Sequence, residues 1–96
     1  MDYGKVAYVG GGNMARALAG GMLAAGYEAS HIAVSEPLEG HRLSLARELP
    51  GAAIFEHNED AVRHAECVIL AVKPQILADV CKPLAPLLQA TRPLVI

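Results

Sequence analysis

The sequence contains no tryptophan, and aromatic residues make up only 4% of its 96 positions. A core must therefore come from aliphatic side chains, and the apolar fraction of 53% is large enough to supply one. That fraction argues against intrinsic disorder. The length suits one small domain, and the wealth of Ala, Leu and Val is typical of an α/β fold.

The chain also lacks an excess of positive charge, with eight Lys and Arg against ten Asp and Glu. No basic cluster indicates a nucleic-acid interface, and no block of like charges indicates a tail. No apolar run approaches the length of a membrane span. The apolar stretch 17–26 follows a strand rather than a basic leader, which argues against a signal peptide. The simplest location is cytoplasmic.

Metal-binding and redox patterns are missing as well. Cys67 and Cys81 form no CxxC pair, and we expect both to be buried, reduced thiols. The four histidines lie in separate segments without ligand spacing, so we interpret them as surface residues and predict no metal site. They are His31, His41, His57 and His64.

Short apolar runs alternate with helical patterns along the chain. Strands are expected at residues 5–9, 32–35, 52–55 and 67–72, with a fifth beginning at 93–96. Helices are expected at 13–25, 40–49, 58–66 and 76–88, the last limited in regularity by Pro83 and Pro86. The order βαβαβαβαβ predicts right-handed crossovers and a doubly wound parallel sheet with helices on both faces.

Several local signals refine these elements. Gly26 stands where a glycine would end the first helix. Leu43, Ala46 and Leu49 are expected to form the apolar face of the second helix. Asn58 is a plausible N-cap of the third.

The stretch GGGNMA at residues 10–15 matches the pattern G-x-G-x-x-A, the dinucleotide-binding fingerprint of Rossmann-like folds. Gly10 permits a tight turn, Gly12 leaves room for a pyrophosphate, and Ala15 lets the helix approach the sheet. Gly11 is the least constrained of the three glycines. The start of the helix then offers backbone N–H groups and a partial positive charge to the phosphates.

Two further glycines, Gly20 and Gly21, lie inside the same helix, where each costs about 1 kcal/mol relative to alanine. We interpret them as sites of close packing against the sheet or a neighbouring helix. This interpretation requires no ligand.

Glu36 stands at the end of the second strand, where the adenosine ribose is normally bound. A carboxylate there accepts a hydrogen bond from the ribose 2′-OH and repels a 2′-phosphate, which favours NAD. Ser35, His41 and Arg42 are near enough in sequence to contact a phosphate, so both cofactors stay open. Glu36 could also be a solvated turn residue before Pro37.

The fourth strand ends in AVKPQ, residues 71–75. Ligands of open α/β sheets lie outside the carboxyl ends of the strands, so this loop is expected to face a cofactor. A plain turn with a solvated Lys73 is an equally good reading of the spacing alone.

The stretch VGGGNMARALAGGMLAAG, taken with VILAVKPQ and EHNEDAV, resembles the N-terminal domain of pyrroline-5-carboxylate reductase over essentially the whole chain. The resemblance implies reduction of 1-pyrroline-5-carboxylate to L-proline, with the hydride supplied by NADPH or NADH. It implies these cofactor contacts: Gly10, Gly11, Gly12, Asn13, Met14, Ala15, Ser35, Glu36, Asn58, Ala71, Val72, Lys73 and Pro74.

Two features depart from that family. Its members often prefer NADPH and carry small or basic residues where Glu36 stands. Its second domain is helical, forms the homo-oligomer and supplies most of the imine site, and we expect that domain to be absent from these 96 residues. No catalytic residue is therefore named, and the chain alone is expected to be inactive.

Three alternatives remain from the sequence. A prephenate-dehydrogenase-like enzyme or an F420-dependent NADP reductase has a similar first domain. A free-standing nucleotide-binding module would bind NAD(P)H and transfer no hydride.

Overall fold

The computed structural model describes residues 4–96, which form a sheet flanked by helices. The strands are β1 (Val6–Val9), β2 (Ile32–Ser35), β3 (Ala53–Phe55), β4 (Cys67–Leu70) and β5 (Leu94–Val95). The helices are α1 (Asn13–Ala24), α2 (Glu39–Glu48), α3 (Asn58–Val62) and α4 (Leu77–Thr91), with 3-10 turns at Ala29–His31 and Pro74–Ile76. The predicted alternation of strands and helices is confirmed.

All five strands are parallel and lie in the order β3-β2-β1-β4-β5. The chain moves outward from β1 to β3 and then returns to β4 on the other side of β1. Ligands of open α/β sheets bind at such a reversal, outside the carboxyl ends of the strands. The predicted doubly wound sheet is confirmed. Its topology indicates a ligand site at the carboxyl ends of β1 and β4.

Helices cover both faces of the sheet. Since neighbouring residues of a strand point to opposite faces, each strand packs against both helix layers. Tyr8 packs with buried side chains of α1 and α2, whereas Ala7 and Val9 pack with those of α3 and α4. Ala15 and Ala19 are fully buried on the sheet side of α1. The predicted close approach of this helix at Ala15 is therefore confirmed.

The first helix ends just before Gly26, as predicted. Gly26 has a φ of +96°, and its N–H donates to the carbonyl oxygen of Leu23 at 3.0 Å. The N–H of Tyr27 donates to the carbonyl oxygen of Met22 at 2.9 Å. These two bonds form a Schellman motif, which satisfies carbonyls that the helix leaves unpaired.

The face of α2 that packs on the sheet differs from the predicted one. Leu45 and Leu49 are buried, whereas Leu43 is 57% exposed and Ala46 is also exposed. The prediction of a face made by Leu43, Ala46 and Leu49 is therefore wrong in two of its three members. Leu45 lies against the glycine loop, 2.6 Å from where a Cβ on Gly11 would be, and this tertiary contact fixes the rotation of the helix.

Two prolines lie inside α4, which nonetheless continues for 15 residues. Pro83 and Pro86 lack an N–H and therefore leave the carbonyls of Asp79 and Lys82 without helical partners. All four residues are exposed, so water can bind those carbonyls. The helix therefore continues through both prolines, and the expected limit on its regularity consists of these two missing hydrogen bonds.

The exposure of the cysteines and histidines can be compared with the predictions. Cys67 and Cys81 are free, but each is partly exposed rather than buried as expected. The histidines are exposed or partly exposed, as predicted. Within residues 4–96, no group of three or more His, Cys, Asp and Glu side chains could hold a metal ion. No helix in that range is long and apolar enough to cross a membrane.

Candidate dinucleotide-binding site

The loop between β1 and α1 requires glycine at its first position. Gly10 has a φ of +104°, in the left-handed region that residues other than glycine rarely adopt. A Cβ there would lie 2.7 Å from the carbonyl oxygen of Ala71 and 3.0 Å from Val72 Cγ1. The structure therefore brings the glycine loop and the loop after β4 into direct contact.

Gly12 differs from Gly10 because the space beside it is open. A Cβ on Gly12 would meet no atom of the described residues within 4 Å. Gly12 precedes α1, and no side chain caps the start of that helix. The first-turn amides lack helical carbonyl partners and can bind an anion. Open space beside such amides fits a dinucleotide pyrophosphate, and the exposed Asn13 and Met14 border it.

Gly11 is more constrained than the fingerprint predicted, so that expectation is wrong. It is buried, and a Cβ there would lie 2.6 Å from Leu45 Cδ1 and 3.1 Å from Glu36 Oε1. Its carbonyl oxygen accepts a hydrogen bond from Arg16 Nε at 3.1 Å, and Arg16 forms an ion pair with Glu48 at 3.0 Å. Arg16 therefore links the glycine loop to α2. No motif in the sequence indicated this residue.

Ser35 and Asn58 meet where β2 ends and α3 begins. The Ser35 hydroxyl is fully buried and donates to Asn58 Oδ1 at 2.6 Å. Asn58 does not cap α3, since His57 precedes the helix and no side-chain cap bond forms. The N-cap prediction is therefore wrong, because the Asn58 side chain is directed toward β2 instead. The Ser35 carbonyl oxygen also accepts the Gly10 N–H at 3.1 Å, which links this pair to the glycine loop.

Glu36 follows β2 and is only 7% exposed. Its Oε2 accepts a hydrogen bond from the Leu38 N–H at 3.1 Å and lies 3.9 Å from His41 Nδ1. Arg42 donates to the carbonyl oxygens of Glu36 and Pro37 at 3.0 and 2.8 Å. This burial excludes the alternative of a solvated turn residue, and it places a fixed carboxylate beside the glycine loop.

The loop after β4 supplies the other side of the site. Ala71 and Val72 are partly buried, and the Ala71 N–H donates to the carbonyl oxygen of Val9 at 2.9 Å. Lys73 and Pro74 are exposed at the rim. The solvated lysine of the plain-turn alternative is present, but the two residues before it are in contact with Gly10.

Two predicted features lie away from this edge. Gly20 and Gly21 were expected to pack closely, yet a Cβ on either would meet no atom of another described element within 4 Å. That expectation is wrong, because Ala15 and Ala19 form the packed face of α1. A cavity of about 110 Å³ lies between α3 and strands β1–β3, and none of the predicted cofactor residues lines it.

Comparison with known proteins identifies the family of the chain. Residues 5–96 match the family described as NADP oxidoreductase, coenzyme F420-dependent. The chain is 44% identical over 84 residues to the pyrroline-5-carboxylate reductase of Vibrio alginolyticus, which covers 88% of this chain and 30% of that relative.

Two solved structures have the same fold. The pyrroline-5-carboxylate reductase of Coxiella burnetii matches with a TM-score of 0.89 and 33% identity, over 98% of this chain and 34% of that one. The Plasmodium falciparum pyrroline carboxylate reductase with NADP bound matches with a TM-score of 0.78 and 25% identity, over 99% of this chain and 33% of that one. This chain therefore spans about a third of the length of these relatives.

The resemblance carried by GGGNMA and AVKPQ is thus confirmed. The fold of the chain is that of the N-terminal domain in the pyrroline-5-carboxylate reductase structures. The chain belongs to the family of NADP oxidoreductases described as coenzyme F420-dependent, and it is similar to the N-terminal third of pyrroline-5-carboxylate reductases.

Proposed function

We propose that this chain is the cofactor-binding domain of an NAD(P)H-dependent reductase that converts 1-pyrroline-5-carboxylate to L-proline. The observation that carries the proposal is the contact of Gly10 with Ala71 and Val72. It joins the two motifs of the resemblance at one edge of the sheet. The Vibrio alginolyticus relative, at 44% identity, supports the same reaction.

The pyrophosphate would lie on the glycine loop. Gly12 contributes open space, and the amides of residues 13–15 at the start of α1 contribute donors and a partial positive charge. A Cβ on Gly10 would clash with the backbone of Ala71, and one on Gly11 would crowd the side chains of Leu45 and Glu36, so both glycines let the loop pack closely. The backbone of this loop would thus bind and orient the pyrophosphate, and the loop would take no part in hydride transfer.

The nicotinamide would lie beside the loop after β4, against Ala71, Val72, Lys73 and Pro74. When bound, the reduced nicotinamide supplies the hydride. The part of this chain is to orient the ring and to exclude water with apolar Ala71 and Val72. The adenosine ribose would meet Glu36, with Asn58 contacting the cofactor and Ser35 holding Asn58 in place. Because Ser35 is fully buried, we assign it this supporting part rather than a ribose contact.

The imine site and the subunit interface would belong to a helical second domain outside these 96 residues. This chain covers 30% of the Vibrio alginolyticus relative, which leaves ample length for such a domain. We therefore assign no catalytic residue to the chain and expect it to bind NAD(P)H without reducing the imine. The family description favours one alternative, an F420-dependent NADP reductase.

A chimera tests the function directly. The chain would replace the matching N-terminal third of the Vibrio alginolyticus reductase, and NAD(P)H oxidation and L-proline formation would be measured. We expect the chimera to reduce 1-pyrroline-5-carboxylate and the chain alone to be inactive. A chimera that folds and binds NAD(P)H, yet forms no proline with this imine, would contradict the proposed reaction.

The Gly12→Val variant tests the cofactor site within the chain itself. Because the space beside Gly12 is open, valine should fold there but obstruct the pyrophosphate. We expect NADH and NADPH affinity to fall at least about tenfold by fluorescence titration, with little change in melting temperature.

Gly21→Val is the matched control, since a Cβ there also points into open space but on the exposed last turn of α1, away from the glycine loop. It should bind both nucleotides like the unaltered chain. Equal affinity of the Gly12→Val and Gly21→Val variants would place the dinucleotide elsewhere.

A further inference from the structure

We propose that Glu36 selects a cofactor without a 2′-phosphate, so that this chain prefers NADH to NADPH. The inference rests on the proposed dinucleotide site and adds the choice between its two ligands. It differs from what the neighbours suggest, because the family description names NADP and the Plasmodium falciparum structure has NADP bound.

The position of Glu36 gives its carboxylate a defined target. Glu36 follows β2 and lies against Gly11, with Oε1 3.1 Å from where a Cβ on that glycine would be. In this fold, an acidic residue at that point accepts a hydrogen bond from the ribose 2′-OH. A carboxylate has acceptor atoms only, so it pairs with a hydroxyl and repels a phosphate.

The carboxylate is also held in place. The Leu38 N–H donates to Oε2 at 3.1 Å, and the Glu36 side chain is only 9% exposed. Solvent therefore screens this negative charge less than it would screen one on an exposed side chain. Rotation of the side chain away from a phosphate would also break the bond to Leu38.

Arg42 is the cation that could bind a 2′-phosphate, but it is already engaged. Its Nη1 donates to the carbonyl oxygens of Glu36 and Pro37 at 3.0 and 2.8 Å. Its Nη2 lies 3.9 Å from Glu56 Oε1. Movement of the guanidinium toward a phosphate would break the two bonds of Nη1, and a lost hydrogen bond offsets part of any gain.

His41 is the other nearby basic residue. It is 58% exposed, and its Nδ1 lies 3.9 Å from Glu36 Oε2. Its attraction for a phosphate would be screened by the surrounding solvent. The other charged residues in contact at the end of β2 are Glu36, Arg42 and Glu56, two acidic and one basic.

The test is a fluorescence titration of the chain with NADH and with NADPH at about pH 8. We expect NADH to bind at least about tenfold more tightly. Glu36→Gln keeps an oxygen that can accept the Leu38 N–H but removes the charge. It should bring the two dissociation constants within about threefold, mainly by tightening NADPH.

Arg42→Gln separates this proposal from its rival. If Arg42 only holds the carbonyls of Glu36 and Pro37, its loss should weaken both nucleotides by a similar factor. A selective loss of NADPH affinity would instead identify Arg42 as a phosphate ligand and overturn the proposal. So would equal or tighter NADPH binding by the unaltered chain, or an unchanged ratio in Glu36→Gln. Failure of a folded chain to bind either nucleotide would overturn the dinucleotide site as well.

Discussion

Tyr8 lies two residues before Gly10, with its side chain 1% exposed in the core beneath the glycine loop. Its hydroxyl donates to Met22 Sδ at 2.8 Å. Burial raises the pKa of Tyr8 above the ordinary value of 10.0, and the nearby Cys67 and Tyr27 raise it further. The folded chain therefore keeps this proton at a pH where the unfolded chain releases it.

Alkaline pH should consequently destabilise the fold through Tyr8. The contribution of this proton is fully present below about pH 10, and it is lost as pH rises from there through the pKa of the folded state. We expect the free energy of unfolding, measured by chemical denaturation, to fall less steeply above pH 10 in Tyr8→Phe than in the unaltered chain. Identical slopes would show that Tyr8 does not titrate differently in the two states.

The three adjacent glycines show what a motif can predict at the residue scale. The fingerprint correctly assigned a tight turn to Gly10, because a positive φ leaves a recognisable pattern in sequence. It missed the constraint on Gly11, which arises from Leu45 and Glu36, far along the chain. Contacts of that kind depend on how elements pack, and a local pattern carries no record of them.

The rotation of α2 is the clearest case at the scale of an element. Periodicity allowed more than one face, and the predicted face included Leu43. The structure buries Leu45 and Leu49 instead and leaves Leu43 57% exposed. The choice is made by the sheet and the glycine loop, so the helix sequence alone could not specify it.

A pair of alanine substitutions tests this assignment. Leu45→Ala removes a fully buried side chain and should lower the free energy of unfolding by about 2–5 kcal/mol. Leu43→Ala removes a mostly exposed one of the same size, with an expected change within about 0.5 kcal/mol. Urea denaturation of both variants measures the difference. Larger destabilisation by Leu43→Ala would mean that α2 packs on its predicted face.

For the whole molecule, the order of strands and helices was predictable because apolar runs and turn residues punctuate the chain strongly. The parallel sheet followed from that order. The pairing of Ser35 with Asn58 was not predictable, and an N-cap was the natural assignment for an asparagine before a helix. The hydrogen bond to β2 requires α3 to begin beside the end of that strand, which is a property of the assembled sheet.

Two motifs about sixty residues apart come together because β4 pairs with β1. This topology brings the GGGNMA and AVKPQ loops together at the carboxyl ends of the two strands. The cavity of about 110 Å³ between α3 and strands β1–β3 is lined by none of the predicted cofactor residues, so its residues serve as a comparison set. A measurement that distinguishes the two locations therefore tests where the cofactor binds.

Chemical-shift changes of the backbone amides during titration of the ¹⁵N-labelled chain with NADH give that test most directly. A dinucleotide at the carboxyl edge should shift the amides of residues 10–15, 36 and 71–73 together, with one dissociation constant. The amides of Lys5, Ala33 and His64 around the cavity should change little. Shifts concentrated around the cavity, or none at saturating NADH, would contradict the assignment of this chain as a dinucleotide-binding domain.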